Sequence, residues 1–503
     1  MTSPNNRGTF PFSCVDYLVS KHGPLGNSPH APSIHILDEN SLLNIFYLYR
    51  PAIFDVDEGD DDRILGGKGW ERERWWYKLA QVCQRWRILI LGSASYLGLC
   101  LVCTYGTPVA DMLVHSPPLP LVIDYFQEDE DITGEEEGVV VALEQRDRVR
   151  RVRLAVPLPN LEKLIMAIDG EYPVLEYLIM GQSADDSTAL MLPGFQAPHL
   201  RHLMLLGFAL PIRSRLLTTA VGLITLCLYM DTSTYSRPST LLQWISLMPQ
   251  LETLNIAPLS PVPNRDVERQ LMYTPITTHV TLPNLRSFAF QGGSAYLEAF
   301  VSRITTPLLE QFSIEFYEQL TFSVPRLAQF MSTTEHLRFD SAKFVFSSTQ
   351  VSVEFYPREE AKTNTLSIYV YCCHFDWQVS SVAQISDSLG QIFSTVEHLI
   401  LENKEHSQSS EEHNQVDRIE WRRLLTSFGT VKTLRVEDGL VKELSRCLRL
   451  DDEEHSLELL PELQELTYSG SGDRDAGDAF TSFVDTRQNA GHPVSLIRSS
   501  PNV

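Results

Sequence analysis

A six-residue template, apolar-x-x-apolar-x-apolar, returns along most of this 503-residue chain and limits what it can fold into. Copies stand at Val149-Val152-Leu154, Leu175-Leu178-Met180, Leu200-Leu203-Leu205, Leu223-Leu226-Leu228, Leu251-Leu254-Ile256, Leu285-Phe288-Phe290 and Leu309-Phe312-Ile314. Their first positions lie 26, 25, 23, 28, 34 and 24 residues apart. Further copies are read at Leu337-Phe339, with Thr334 in the leading place, and at Val396-Leu399-Leu401, Val431-Leu434-Val436 and Leu463-Leu466-Tyr468. The last three are spaced more loosely, by 35 and 32 residues.

Between copies the apolar period changes from that of a strand to that of a helix. STLLQWISLMP precedes LETLNI, AYLEAFVSRITTP precedes LLEQFSI, and WRRLLTSFGT precedes VKTLRV. Each unit therefore reads as a helix followed by a short strand, at a period suited to a solenoid. Regular alternation of this kind demands a parallel sheet, because parallel neighbours need a long crossover. No unit can cover its own apolar face, so the units stack, and a horseshoe is expected. Leu161-Leu164-Met166 fits the template but lies only 12 residues after Val149. Leu161, Leu164, Ile165 and Ile168 form a helical stripe instead. From Phe344 to Tyr371 the pattern changes: FVF, VSVEFY and LSIYVY alternate apolar and polar, which predicts a β-ribbon insertion.

The first ninety residues are different. Residues 1–33 are rich in Pro, Asn, Ser and Gly and read as a flexible leader. A helix is expected from an N-cap at Asp38 or Asn40 to a stop at Pro51, with Leu42, Ile45, Phe46 and Tyr49 on one face. Residues 55–69 form an acidic, Gly-rich loop. A second helix is expected from about Trp70 to Leu91, its stripe formed by Trp75, Leu79, Val82, Trp86 and Leu89. The apolar run Ile88 to Cys103 carries Gly92, Ser93, Ser95 and Gly98 and is short for a bilayer, so it reads as a helix end and a buried strand.

Composition narrows the function classes. With 41 Lys and Arg against 64 Asp and Glu, the formal charge of −23 repels phosphate backbones. Eight cysteines are too sparse for a disulfide framework, no N-x-S/T acceptor occurs, and the start lacks a basic segment leading into an apolar core. An intracellular, cytoplasmic or nuclear location is expected. No G-x-S-x-G, H-E-x-x-H or G-x-G-x-x-G occurs. The run at Asp55, Asp57, Gly59 and Asp60 invites a calcium loop, but the sixth and twelfth places hold Asp60 and Gly66 instead of Gly and Glu. ILGGKGW lacks the upstream Gly and the hydroxyl of a phosphate loop. Cys100 and Cys103 sit three apart in an apparent strand, on opposite faces, and read as buried structural thiols. Cys372-Cys373 lies in an aromatic strand, and His199 with His202, or His406 with His413, lacks companions for a metal site. No cofactor, metal or catalytic residue is expected.

Leu37, then LLNIF (Leu42 to Phe46), then LAQVCQRWRILI (Leu79 to Ile90) resemble an F-box, with Val82, Cys83, Trp86 and Arg87 the most specific part. Beyond it, residues 97–125 look like fungal, mushroom-type F-box proteins that continue into irregular leucine-rich repeats. The family's usual Leu-Pro start reads Leu37-Asp38 here, and an insertion at 51–74 separates the first helix from the second. The resemblance implies docking on the Skp-type adaptor of a Skp–cullin–F-box ubiquitin ligase, in the ubiquitin-conjugation pathway. The docking residues it implies are Leu37, Leu42, Leu43, Ile45, Phe46, Leu79, Val82, Cys83, Trp86 and Leu89. Physically, Leu42, Ile45, Phe46, Val82 and Trp86 are more apolar surface than two short helices bury alone, and each such side chain contributes about 1.5–3 kcal/mol when covered.

The resulting expectation is an α/β chain: a helical F-box-like module at 34–92, then an irregular leucine-rich-repeat horseshoe at 93–470 with outer helices and the ribbon near 344–371, then a cap and tail at 471–503. Its expected function is non-catalytic: a substrate-recruiting adaptor that presents a target on its repeat surface. The alternatives are a repeat scaffold without ligase docking, or an enzyme with an unrecognised site. The partners are a Skp-type adaptor with its cullin complex and an unknown protein target, for which the acidic clusters at 55–62, 128–137 and 451–454 favour a basic surface. Neither nucleic acid nor membrane is expected as a partner.

Overall fold

A computed structural model describes residues 37–51, 73–126, 136–156, 158–182, 194–208, 214–230, 236–258, 278–317, 319, 321–334, 336–358, 365–404, 418–448, 459–469 and 480–499. The leader, most of the acidic insertion, residues 128–135 of the cluster at 128–137, the cluster at 451–454, and His406 and His413 lie outside the described residues. The chain divides into two compact units, 1–152 and 153–503.

The first unit opens with α1 (Glu39–Tyr49). Asp38 is its N-cap: Oδ1 accepts from the Ser41 amide at 2.9 Å and Oδ2 from the Ser41 hydroxyl at 2.7 Å. These bonds satisfy an amide that the first helical turn leaves unpaired, and they favour the ionised carboxyl, holding its pKa below the usual value. The helix stops at Arg50, ahead of Pro51, as its sequence predicts.

The second helix differs from expectation. It is two helices, α2 (Trp75–Ala80) and α3 (Gln84–Gly92), separated by Gln81–Cys83. Cys83 adopts extended backbone, and its Sγ accepts from the Trp86 amide at 3.5 Å, capping α3. Arg87 Nε donates to the Ala80 carbonyl at 3.0 Å and ties the break together. The interruption resets the helical phase. The stripe Trp75, Leu79, Val82, Trp86, Leu89 is therefore not a buried face: Trp86 alone of the five is buried, and the inward residues are Trp76, Ala80, Trp86 and Ile90.

A short helix α4 (Ala94–Leu97) ends at Gly98, whose φ of 62° is the left-handed conformation that glycine adopts without cost. The apolar run then enters β1 (Leu101–Cys103), which pairs in parallel with β2 (Leu121–Phe126). A third strand, β3 (Val149–Val156), crosses the boundary between the units.

The second unit holds a large, mostly parallel sheet built from β4 (Tyr177–Gln182), β5 (His202–Leu206), β6 (Thr225–Met230), β7 (Thr253–Pro258), β9 (Ser287–Gly292), β11 (Gln311–Tyr317), β12 (Ser341–Phe346), β13 (Gln350–Tyr356), β14 (Thr365–Tyr371), β15 (His398–Asn403), β16 (Thr433–Val436), β17 (Glu465–Ser469) and β18 (Ser495–Ser499). Two short strands, β8 (Val280–Thr281) and β10 (Ile304–Thr305), form a separate parallel pair. The order in the main sheet is β4-β5-β6-β7-β9-β11-β14-β13-β12-β15-β16-β17-β18.

The repeat copies fall into register. Leu178, Leu203, Leu226, Leu254, Phe288, Phe312 and Leu366 are successive cross-strand partners, and so are Met180, Leu205, Leu228, Ile256, Phe290, Ile314 and Ile368. All fourteen are buried. Helices between the strands cover this side. Phe288 meets Phe300 at 5.6 Å, Phe312 meets Phe330 at 5.9 Å, and Phe344 meets Phe393 at 6.4 Å. Such ring pairs add about 0.5–1.5 kcal/mol to their burial. A mixed α/β fold with leucine-rich-repeat character follows from this chain's own register.

The alternating stretch 344–371 forms antiparallel strands within the main sheet. β12 and β13 are antiparallel, β13 and β14 are antiparallel, and β14 and β12 pair in parallel with β11 and β15. One copy also moves. Ser341 pairs with His398 and Phe344 with Leu401, so the copy belonging to β12 is Phe339-Ala342-Phe344, not Thr334-Leu337-Phe339. Leu337 and Phe339 lie in the loop after the helix Pro325–Thr333, and both are buried there. A buried loop residue has the same apolar signature as a strand residue. The segment 471–503 contributes the helix Thr481–Asn489 and then β18, which pairs in parallel with β17. Fully buried Arg487 anchors this end, donating to the carbonyls of Leu459 at 3.3 Å and Pro461 at 2.8 Å.

Candidate interaction surfaces

In the first unit the docking residues read from sequence separate into two groups. Leu42, Phe46 and Trp86 are buried, and the Phe46 and Trp86 rings meet edge-on at 4.8 Å. They hold α1 against α3. Leu43, Leu79, Cys83 and Leu89 are half-buried, whereas Leu37, Ile45 and Val82 are exposed. The reading that Leu42, Phe46 and Trp86 face a partner is thus corrected: two short helices bury them against each other.

Other residues take the outward place. Leu48 is 82% exposed and Ile88 64%, and Tyr47, Tyr49 and Tyr96 are also exposed. Ile45, Leu48 and Tyr49 stand at i, i+3 and i+4 on one stripe of α1. Tyr47 and Tyr96 have ring centroids 5.5 Å apart, and the Tyr96 hydroxyl donates to Asn44 Oδ1 at 3.3 Å, so α1 and α4 are fastened at the surface. Arg85 Nη2 donates to the Leu37 carbonyl at 2.7 Å and fixes the entry to α1. Sequence reasoning passed over Leu48 and Ile88 because both lie off the apolar stripes taken as the docking faces, Leu42-Ile45-Phe46-Tyr49 on the first helix and Trp86-Leu89 on the second.

The second unit offers the side of the sheet that lies opposite the buried repeat columns. Along β11 and β14 burial alternates residue by residue, so Gln311, Ser313, Glu315 and Tyr317 share this side with Thr365, Ser367, Tyr369 and Tyr371. The Tyr317 and Tyr371 rings stack at 4.7 Å with 21° between their planes. Glu315 Oε2 accepts from the Tyr317 hydroxyl at 3.2 Å and from the Tyr371 hydroxyl at 3.3 Å. Burial first, and then the Glu315 charge, pushes both phenols above their ordinary range. On β12 and β15 the Lys343 ammonium meets Glu402 at 2.8 Å. Farther along, the Tyr229 hydroxyl accepts from Asn255 Nδ2 at 3.2 Å. This surface was not read from sequence, although the positions between the apolar ones of QFSIEFY and LSIYVY carry the signal.

The thiols and histidines have local partners of a structural kind. Cys100 and Cys103 are buried, and burial pushes their thiols up to about 11 and about 12. Such thiols stay protonated and unreactive near neutral pH. His202 Nδ1 lies 3.1 Å from Thr225 Oγ1. Among the described residues no group of three or more His, Cys, Asp or Glu is placed to hold a metal ion, and no helix is long and apolar enough to cross a membrane.

No protein-family model matches the chain, and no curated protein is significantly similar to it. Among solved structures it is similar to the leucine-rich repeat-containing protein LegL7 from Legionella pneumophila, at 12% identity and a TM-score of 0.26, over 70% of this chain and 95% of that one. A superposition that loose carries no argument. The in-register columns stand as the basis for the repeats.

Proposed function

We propose that this chain is a non-catalytic recruiting adaptor, docking through its N-terminal helical module on a Skp-type adaptor of a cullin ubiquitin ligase. On this reading the open side of the repeat sheet presents a protein target. The observation that carries it is the outward apolar set of the helical module, Ile45, Leu48, Val82 and Ile88, on a unit that has already closed its own core with Leu42, Phe46 and Trp86. An exposed set of that size is a candidate partner surface. The mechanism is proximity: holding a target beside the ligase raises its effective concentration without any bond made or broken by this chain.

The F-box resemblance selects the adaptor, and the test is co-purification of the full chain with a Skp-type adaptor and its cullin. No measurable affinity for any such adaptor would leave a repeat scaffold without ligase docking. Asp38, which caps α1 where the family carries proline, is the observation that favours that second reading.

A further inference from the structure

The sheet of the second unit ends at β18, the last strand in the order, which pairs with β17 on one side. At the opposite end β4 has β3 beside it, so among the described residues β18 is the open edge of this unit. Ser495 turns its backbone inward, its amide donating to the Gln464 carbonyl at 2.8 Å. In a parallel ladder alternate residues bond to the neighbouring strand. Ile497 therefore follows Ser495 inward, and the peptide groups of Leu496 and Arg498 point away from β17. The side chains alternate between the two sides of the sheet. Leu496 stands in register with buried Leu466 on the helix side, and Ile497 with Thr467 on the open side.

Soluble proteins usually block such an edge with Lys, Pro, a bulge or a covering segment. β18 contains neither Lys nor Pro, its register with β17 is unbroken, and Ser495, Ile497 and Arg498 are exposed, Ile497 by 42%. The strand is also its own complement. Set antiparallel on a second copy with Ile497 at a two-fold axis, Leu496 faces Arg498 of the other copy on each side of that axis. Both present outward peptide groups, so each such pair exchanges two N–H···O bonds. Ile497 then meets Ile497, and Ser495 meets Ser499. The Arg498 stem covers Leu496 of the other copy, and no like charges stand opposite each other. With one open edge per unit the pairing closes as a dimer and does not run on into a filament.

We propose that β18 is an interface between two copies of this chain, paired as antiparallel strands about a two-fold axis at Ile497. The inference stands independently of ligase docking. The axis is perpendicular to the sheet at β18, so the open sides of two repeat sheets join into one continuous surface. A five-residue edge is much smaller than a standard interface of about 1,600 Å², so the dimer is weak and reversible. The net charge of −23 opposes it at long range, and added salt should therefore strengthen it by screening.

The test is sedimentation velocity of the full chain over about a hundredfold range of concentration. Wild type should pass from the monomer mass toward twice that mass as concentration rises. Ile497→Lys sets like charges face to face, and Leu496→Pro removes an outward N–H, so each should stay monomeric. Ile497→Val should keep the dimer. If Leu496→Pro disturbs the end of the sheet, Ile497→Lys still decides, since an exposed open-side residue leaves urea unfolding unchanged. Register is read by crosslinking in a Cys373→Ser background. Diamide takes two electrons and two protons from a pair of thiols, and it should join Ile497→Cys chains, whose Cα atoms meet at about 4.5 Å. Ser495→Cys chains, each facing Ser499 of the other copy, should stay unjoined. A monomer at every concentration, mass growing beyond the dimer, a dimer that survives Ile497→Lys, or equal crosslinking of both Cys variants would overturn the proposal. So would a monomer whose β18 amides gain exchange protection only when a target peptide is added, which gives the edge to a target strand.

Discussion

Trp86 and Ile88 are two residues apart on one helix, and the structure assigns them opposite work. Trp86 is 9% exposed and its ring meets Phe46 at 4.8 Å, whereas Ile88 is 64% exposed. Truncating a buried Trp to Ala costs about 3–5 kcal/mol, which includes the cavity it leaves. An aromatic pair of this geometry carries about 0.5–1.5 kcal/mol of coupling beyond burial. A surface change such as Ile88→Glu or Leu48→Glu stays within about 0.5 kcal/mol. Trp86→Ala should therefore open the first unit to protease at a lower urea concentration, while the repeat unit unfolds as before. Ile88→Glu with Leu48→Glu should leave unfolding unchanged yet weaken adaptor binding at least about tenfold, because a charge is placed on the docking surface. A Phe46→Ala, Trp86→Ala cycle should be non-additive by about the pair's coupling. The reasoning is refuted if Trp86→Ala leaves the protease and urea profiles of wild type, or if the two Glu substitutions change adaptor affinity less than twofold.

The remaining predictions concern the repeat sheet and the thiols. Phe312→Ala, which empties a buried site stacked on Phe288 at 5.0 Å, should cost about 3–5 kcal/mol in urea unfolding followed by fluorescence. Its neighbour Ser313→Ala, on the open side, should cost less than about 0.5 kcal/mol, and equal costs would refute the assignment of faces. Exposed Cys373 should react with a thiol reagent at pH 8 well before Cys100 and Cys103, whose pKa values near 11 and 12 leave little thiolate there. Comparable labelling rates in the native protein, followed by mass spectrometry, would show that β1 is not closed.

Much of the fold is written locally. Asp38 and Pro51 bound α1 because a cap and a proline act on the helix they touch, with no need of distant partners. The six-residue template determines which side of each strand is buried, since residues two apart share a face whichever strand lies alongside. That is why copies from Leu175 to Leu309 stand in register when the strands pair.

Tertiary structure decided the rest. Strands 341–346, 350–356 and 365–371 alternate in a way that suits a ribbon beside the sheet or a reversal within it, and only their partners β11 and β15 select the second. The copy at Phe339 cannot be distinguished locally from a buried loop at Leu337, because apolarity reports burial and not strand pairing. The break at Gln81–Cys83 is stabilised by Arg87 reaching the Ala80 carbonyl and by Cys83 capping α3, neither of which changes the apolar period that suggests one helix. The open face of the sheet depends on the same distinction. Glu315, Tyr317 and Tyr371 are brought together by cross-strand neighbours more than fifty residues apart, at 3.3 Å between Tyr371 and Glu315, and sequence periodicity holds no term for which strand lies next to which.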